Sequence, residues 1–164
     1  MVARSAIAIM VGVLLAVCFC IPCTLCYGLC DWLDLAGYRA TREHGIEMRA
    51  WYADYVGVIN EARTRSDPSQ LSLVLTGKAL EEEAGLIRST QDPLPIYVGT
   101  FDAIIGIGDF QVKDYSPTRA TIAVGEVLQS QGTTPIRYHV LTIYRLIREE
   151  EKWKASESIP ASDW

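Results

Sequence analysis

Two stretches of alternating residues decide the fold: residues 119–129, RATIAVGEVLQ, and residues 136–148, IRYHVLTIYRLIR. Their period of two is typical of strands that hold one face against a core. The loop at 130–135 predicts an antiparallel pair, and a polar turn before residues 152–159 predicts the last strand. One predicted face carries Ala120, Ile122, Val124, Glu126 and Leu128 of the first stretch, and Tyr138, Val140, Thr142, Tyr144 and Leu146 of the second.

Upstream of the strands, the period changes to that of a helix. Apolar side chains recur at intervals of three and four between residues 35 and 65, which predicts one long helix. Ser66-Asp67-Pro68 ends this helix and begins a second, with Asp67 as its cap. A third helix is predicted over residues 78–88. Helices followed by strands indicate an α+β domain, in which three helices pack on a curved, four-stranded antiparallel sheet.

The N-terminal region is apolar. Residues 6–30 contain no charged side chain, and a membrane-spanning helix needs about 20 apolar residues. Trp32 follows this stretch at a position that suits the membrane–water boundary. We therefore predict an uncleaved, single-pass transmembrane helix in the cell membrane, with the N-terminus inside and the C-terminal domain extracytoplasmic. A cleaved signal peptide is one alternative, and the lipobox-like residues before Cys18 offer a lipoprotein as another.

All five cysteines lie between positions 18 and 30. Cys20, Cys23, Cys26 and Cys30 have the C-x2-C-x2-C-x3-C spacing of bacterial ferredoxin clusters. The same spacing places the four side chains on one face of a helix, where they can pack against another helix or carry palmitate near one interface. Packing, lipidation and redox chemistry all remain open for this run. We favour packing and predict neither a metal nor a cofactor.

The composition excludes one class of partner. The chain has 15 Lys and Arg against 20 Asp and Glu, a net charge of −5 and a sequence pI of about 5.0. Since nucleic-acid binding needs a basic face, we expect no nucleic-acid partner. No cysteine follows residue 30, which excludes a disulfide-stapled scaffold.

These patterns divide the chain into four parts. The predicted parts are a membrane anchor at 1–33, a long juxtamembrane helix at 34–66 that is the first helix of the domain, the rest of the α+β domain at 67–160, and a tail at 161–164.

Five short motifs carry a resemblance to a known family. They are DPSQL at 67–71, VLTGKAL at 74–80, ATIAVGE at 120–126, YHVLTIYRL at 138–146 and EKWK at 151–154. Together they resemble the nuclear-transport-factor-2-like domains, which have a cystatin-like cone fold. In layout they are most similar to the IMS domain of plastid-division and related cyanobacterial proteins and to other membrane-anchored accessory proteins. The resemblance implies a cone between the helices and a curved sheet. Enzymes of this class keep a carboxylate or a His–Asp pair inside that cone.

Four residues are candidates for a pocket: Glu126, His139, Tyr138 and Arg137. Glu126 interrupts an apolar strand face, and a buried carboxylate needs a partner. We expect an ion pair with Arg137 or Arg145 rather than a catalytic base. His139 could act as a general acid or base, but we favour a surface histidine without chemistry, and we predict no catalytic residue.

These observations favour an accessory or assembly subunit of a larger membrane complex rather than an enzyme. Its partners would be membrane proteins, contacted through the transmembrane helix and the sheet face, and the lipid bilayer. One alternative is a membrane-tethered ligand-binding or catalytic cone, which requires an open pocket containing Glu126 or His139. That alternative fails if the cone is filled, and the candidates to fill it are Phe101, Phe110, Tyr138 and Trp153. A redox subunit that uses the cysteine run is a second alternative.

Overall fold

The first described element is a long helix. The computed structural model describes residues 37–104 and 108–160, which belong to a compact unit that begins at Gly37. Helix α1 covers 37–65. Its buried side chains follow the predicted helical spacing and form one stripe against the core. The residues of this stripe are Met48, Trp51, Tyr52, Tyr55, Ile59 and Ala62.

Two shorter helices follow α1. The Asp67 side chain accepts a hydrogen bond from the backbone N–H of Ser69 at 2.9 Å and caps a 3₁₀ helix, Pro68–Leu73. Helix α2, Gly77–Ser89, comes next. The predicted cap at Asp67 is therefore present, although the element that it begins is a 3₁₀ rather than an α-helix.

Five antiparallel strands follow within the described residues. They are β1 (Ile96–Thr100), β2 (Phe110–Tyr115), β3 (Arg119–Gln129), β4 (Arg137–Glu149) and β5 (Lys152–Pro160). The sheet order is β1-β3-β4-β5, and β2 also pairs with β3.

The prediction of a four-stranded sheet is wrong, because residues 96–160, as far as the structure describes them, already form a sheet of five strands. Strand β3 is 11 residues long, and one of its edges holds two short strands. β2 pairs with the half of β3 that includes Val124, whereas β1 pairs with the half that includes Glu126. The strands between residues 96 and 115 thus lie beside the same neighbour.

The predicted fold class also contained an N-terminal transmembrane helix, which is not supported. No helix within 37–104 and 108–160 is long and apolar enough to cross a membrane. The longest described helix, α1, is amphipathic, because charged side chains separate the positions of its buried stripe. Residues 6–30 and Trp32, on which the prediction depends, lie outside the described residues. The same holds for Cys20, Cys23, Cys26 and Cys30. The cell-membrane location and the orientation stay predictions.

One edge of the sheet is joined to the segment that leads into α2. The backbone N–H of Thr76 donates to the carbonyl of Ala155 at 2.9 Å, and the N–H of Ala155 donates to the carbonyl of Val74 at 2.9 Å. Leu75 and Ala155 thereby form a parallel bridge at the outer edge of β5. This bridge holds the end of the 3₁₀ helix beside the first residues of β5.

Candidate functional site

Glu126 of β3 lies in the centre of the core with 1% of its surface exposed. Three hydroxyl groups donate hydrogen bonds to its carboxylate. Tyr52 of α1 donates at 2.8 Å and Tyr144 of β4 at 2.6 Å, both to Oε1, while Thr142 of β4 donates to Oε2 at 2.6 Å. The carboxylate therefore has a donor on each oxygen, as a buried acceptor requires.

The pKa values of these groups follow from their burial. Burial raises the pKa of the Glu126 carboxyl, although the hydrogen bonds from Thr142, Tyr144 and Tyr52 lower it. Burial and the nearby Glu126 raise the pKa of Tyr52 and of Tyr144 well above the ordinary value. Both phenols therefore stay protonated near neutral pH and act as hydrogen-bond donors.

Aromatic rings surround this carboxylate and fill the predicted cone. The Tyr144 ring packs edge-on against Trp51 at 5.8 Å and against Tyr55 at 5.1 Å between ring centroids. Phe110 packs edge-on against Tyr52. Of the four side chains expected to fill the cone, Phe110 and Trp153 are buried in the core, whereas Tyr138 is 45% exposed. The remaining rings of the core come from α1, from Tyr97 of β1 and from Tyr144 of β4. Within the described residues, Glu126 is buried and both of its oxygens accept hydrogen bonds from neighbouring hydroxyls, so it is an enclosed core carboxylate.

The remaining pocket candidates lie elsewhere. His139 pairs in register with Val127, on the sheet face opposite Glu126, and its ring contacts Phe101 at 4.9 Å. Tyr138 is 45% exposed near the start of β4, and the Arg137 side chain donates to Gln129 at 3.2 Å. The structure therefore does not bring these three residues together with Glu126.

The expected ion pair of Glu126 is replaced by the three hydroxyl donors. Arg145, the other expected partner, is exposed and pairs with Glu157 of β5 at 2.7 Å. Sequence reasoning identified the buried carboxylate but missed Tyr52, which lies 74 positions away on another element. In the sequence, such a donor can be recognised as a tyrosine that falls within the apolar stripe of α1.

An open groove of about 660 Å³ lies between α1, the end of the 3₁₀ helix and the start of β5. Its apolar surface comes from two tryptophans and from aliphatic side chains, of which Leu73 is 50% exposed. We call it the α1–β5 groove. It is lined by Glu47, Trp51, Ala53, Asp54, Gly57, Val58, Glu61, Leu73, Val74, Lys152 and Trp153.

One wall of the groove is held by hydrogen bonds to Glu47. The indole N–H of Trp153 donates to Glu47 Oε1 at 2.7 Å, and the Tyr115 hydroxyl donates to Oε2 at 2.9 Å. The bond from Trp153 is the main reason that the pKa of Glu47 lies below its ordinary value. Glu47 is therefore ionised at neutral pH, and it fixes the Trp153 ring against α1.

The second tryptophan of the groove differs from the first. Trp51 is buried, and among the described residues its Nε1 is a buried side-chain donor without a hydrogen-bond partner. Its ring instead packs on Tyr55 at 5.3 Å and on Tyr144 at 5.8 Å. Trp51 thus separates the filled core from the groove, with aromatic contacts on the core side.

Acidic side chains run along the α1 wall. Glu47, Asp54 and Glu61 follow one another at intervals of seven, which places them along nearly one line of the helix. Lys152, on the opposite wall, is the one cation among the lining residues. The groove consequently combines an apolar floor with a net negative rim.

Comparisons with known proteins give a distant likeness in fold. No protein-family model matches the sequence, and no curated protein matches it. Among solved structures, the chain is similar to the crystal structure of the intermembrane space region of the chloroplast protein ARC6, at 11% identity and a TM-score of 0.45. The similarity covers 70% of this chain and 93% of that chain. It is a distant similarity of fold, and membership of the nuclear-transport-factor-2-like domains is not confirmed by it.

Proposed function

We propose that the α+β domain is a protein-interaction domain and that it binds a segment of a partner protein in the α1–β5 groove. The observation that carries this proposal is an open, largely apolar groove on a domain whose core carboxylate is enclosed. An accessory or assembly subunit of a larger complex is the role that such binding would serve.

The chemistry of the groove supports a protein partner. Tryptophan is enriched among the residues that dominate binding energy. Trp51 and Trp153 both line this groove, but each has only 7% of its surface exposed, so they form the floor beneath more exposed side chains. Leu73 leaves half of its side chain in water beside them. Exposed apolar surface with a polar rim is typical of sites that bind proteins or ligands.

The interior offers less to a partner or a substrate. Both oxygens of Glu126 already accept hydrogen bonds from protein hydroxyls, and aromatic rings close the space around them. A carboxylate that is enclosed in this way stabilises one packing arrangement of the core. It is therefore the groove, rather than the cone, that supports the proposed function.

A pair of matched leucine substitutions tests the proposal. Leu73 lies in the groove, whereas Leu86 of α2 is 43% exposed and is not among the lining residues. Tagged full-length wild type, Leu73→Asp and Leu86→Asp would be purified from the native source, and the co-purifying proteins would be quantified. Each candidate partner would then be produced separately, and its binding to all three proteins would be measured.

We expect a partner that binds wild type and Leu86→Asp with equal affinity and binds Leu73→Asp at least about tenfold more weakly, since a buried leucine contributes roughly 1.5–3 kcal/mol. Thermal melting of the three proteins checks that Leu73→Asp is folded. If every partner binds folded Leu73→Asp as tightly as wild type, the groove is not the binding site and the proposal fails.

A further inference from the structure

We infer that the α1–β5 groove selects a basic, amphipathic helix as its occupant. This inference rests on the proposed function and adds the chemistry of the partner. Such a helix would place its apolar face on the tryptophans and Leu73, and its cations along the carboxylates of α1.

Charge complementarity is the first argument. Asp54 and Glu61 are exposed and flank Val58 on the groove side of α1. Glu61 also pairs with Arg65 at 2.7 Å, but the pair is open to water, with 70% of the Arg65 side chain and 44% of the Glu61 side chain exposed. Exposed pairs of this kind contribute about 0.3–0.5 kcal/mol, so a partner's cation can replace Arg65 at little cost.

The role of Glu47 is different. It already accepts hydrogen bonds from Trp153 and Tyr115, and it therefore holds the wall together. Asp54 and Glu61 remain as the carboxylates that can receive a partner's Lys or Arg. Because these acidic positions lie seven apart, successive contacts are separated by about 10 Å, which is also the rise over seven residues of a partner helix lying along α1.

Small residues beside the carboxylates provide the second argument. Ala53 and Gly57 are exposed, lie four positions apart on α1 and line the groove. A Cβ added at Gly57 would meet no atom within 4 Å. The distance between two packed helix axes depends on the side chains at their contact, and these positions allow a close approach. A helical occupant uses this space better than the side chains of an extended strand.

Synthetic peptides provide the probes. The first is a capped peptide of about 15 residues, with leucines on one helical face and lysines on the other, long enough to pass Glu47, Asp54 and Glu61. The second carries glutamate in place of every lysine, and the third carries serine in place of every leucine. Their affinities for the full-length protein would be measured at low and at high salt.

We expect the lysine–leucine peptide to bind, and the other two to bind at least about tenfold more weakly. The Asp54→Asn/Glu61→Gln variant should bind the first peptide about tenfold more weakly at low salt, and its affinity should depend less on salt. The Glu81→Gln/Glu82→Gln variant is the matched control, because it removes the same charge from α2 and should bind like wild type. Gly57→Leu should fill the space for the helix and abolish binding without loss of stability.

The results separate this inference from the proposed function. If Asp54→Asn/Glu61→Gln binds the lysine–leucine peptide like wild type, or if the glutamate peptide binds equally well, the inference is wrong. The proposed function would still stand if native partners are lost with Leu73→Asp. If Leu73→Asp and Gly57→Leu retain every native partner, the proposed function itself fails.

Discussion

The core around Glu126 and the α1–β5 groove meet at the Trp51 ring, which contacts Tyr144 of the core and lines the groove, yet their polar groups are arranged differently. In the core, three hydroxyls donate to one carboxylate. At the groove, the buried Trp51 indole N–H has no hydrogen-bond partner within the part of the chain that the structure describes, and carboxylates lie along an apolar floor. The same helix, α1, therefore contributes a tyrosine hydroxyl that stabilises the core and carboxylates that line an exposed groove.

The largest effect should come from Glu126→Ala. This substitution leaves three buried hydroxyls without an acceptor and opens a cavity, and we expect the free energy of unfolding to fall by about 3–5 kcal/mol. Urea denaturation of the full-length protein measures this change. The control is Glu81→Ala on the exposed surface of α2, which should stay within about 0.5 kcal/mol of wild type. A loss below about 1 kcal/mol for Glu126→Ala would show that the hydroxyl network contributes little.

The next effect concerns pH. Because burial raises the pKa of Glu126 in the folded state, the folded protein binds more protons than the unfolded chain above the ordinary Glu pKa of 4.5. The stability that Glu126 contributes is therefore complete below that value and is lost as the pH rises through the raised pKa.

Glu126→Gln removes this titration while keeping an acceptor for the tyrosines. As the pH rises, wild type should lose stability relative to Glu126→Gln. The change in the difference between their unfolding free energies should be up to about 1.4 kcal/mol per pH unit. Denaturation of both proteins over a range of pH gives this difference, in which the titration of Glu47 cancels because both proteins contain it. A constant difference across the range would contradict the raised pKa.

A smaller effect on stability is expected when the two tryptophans of the groove are replaced in turn. Trp153→Phe loses a hydrogen bond to an ionised carboxylate, whereas Trp51→Phe removes an N–H that has no partner among residues 37–104 and 108–160. Both changes shrink the ring by a similar volume. We therefore expect Trp153→Phe to be less stable than Trp51→Phe by about 1 kcal/mol in denaturant unfolding. The reverse order would mean that the Trp51 N–H does find an acceptor.

The smallest effect should come from Gly57→Ala. Glycine inside an exposed helix costs about 0.5–1 kcal/mol relative to alanine, and an added Cβ has free space here. We expect Tm to rise by a few degrees in a thermal melt. Gly85→Ala in α2 is a suitable control, because that Cβ also meets nothing within 4 Å. A fall in Tm for Gly57→Ala alone would show that the space above α1 is occupied.

The sequence predicted the long strands well because their alternation persists over many residues. Residues 119–129 match the bounds of β3, and residues 136–148 and 152–159 differ from β4 and β5 by one residue at their ends. The strands between 96 and 115 were harder, because a short run of apolar residues does not reveal which edge of β3 it joins. The predicted number of strands failed for that reason.

The candidate site was less predictable because its parts are distant in sequence. The alternation of side chains along β3 placed Glu126 on the buried face, but the identity of its hydrogen-bond donors depends on how α1 packs across the sheet. The groove joins a helix, the end of a 3₁₀ helix and the start of a strand. In the sequence it is marked by the small residues Ala53 and Gly57 and by the acidic residues at intervals of seven in α1.

The bridge between Leu75 and Ala155 has a consequence for the entropy of binding. It ties the wall of the groove that contains Val74 to the sheet through backbone hydrogen bonds, while Trp153 and Glu47 tie the sheet to α1. The width of the groove is thus fixed before a partner arrives. Little conformational freedom of this domain is then lost on binding, so the cost of ordering falls mainly on the partner.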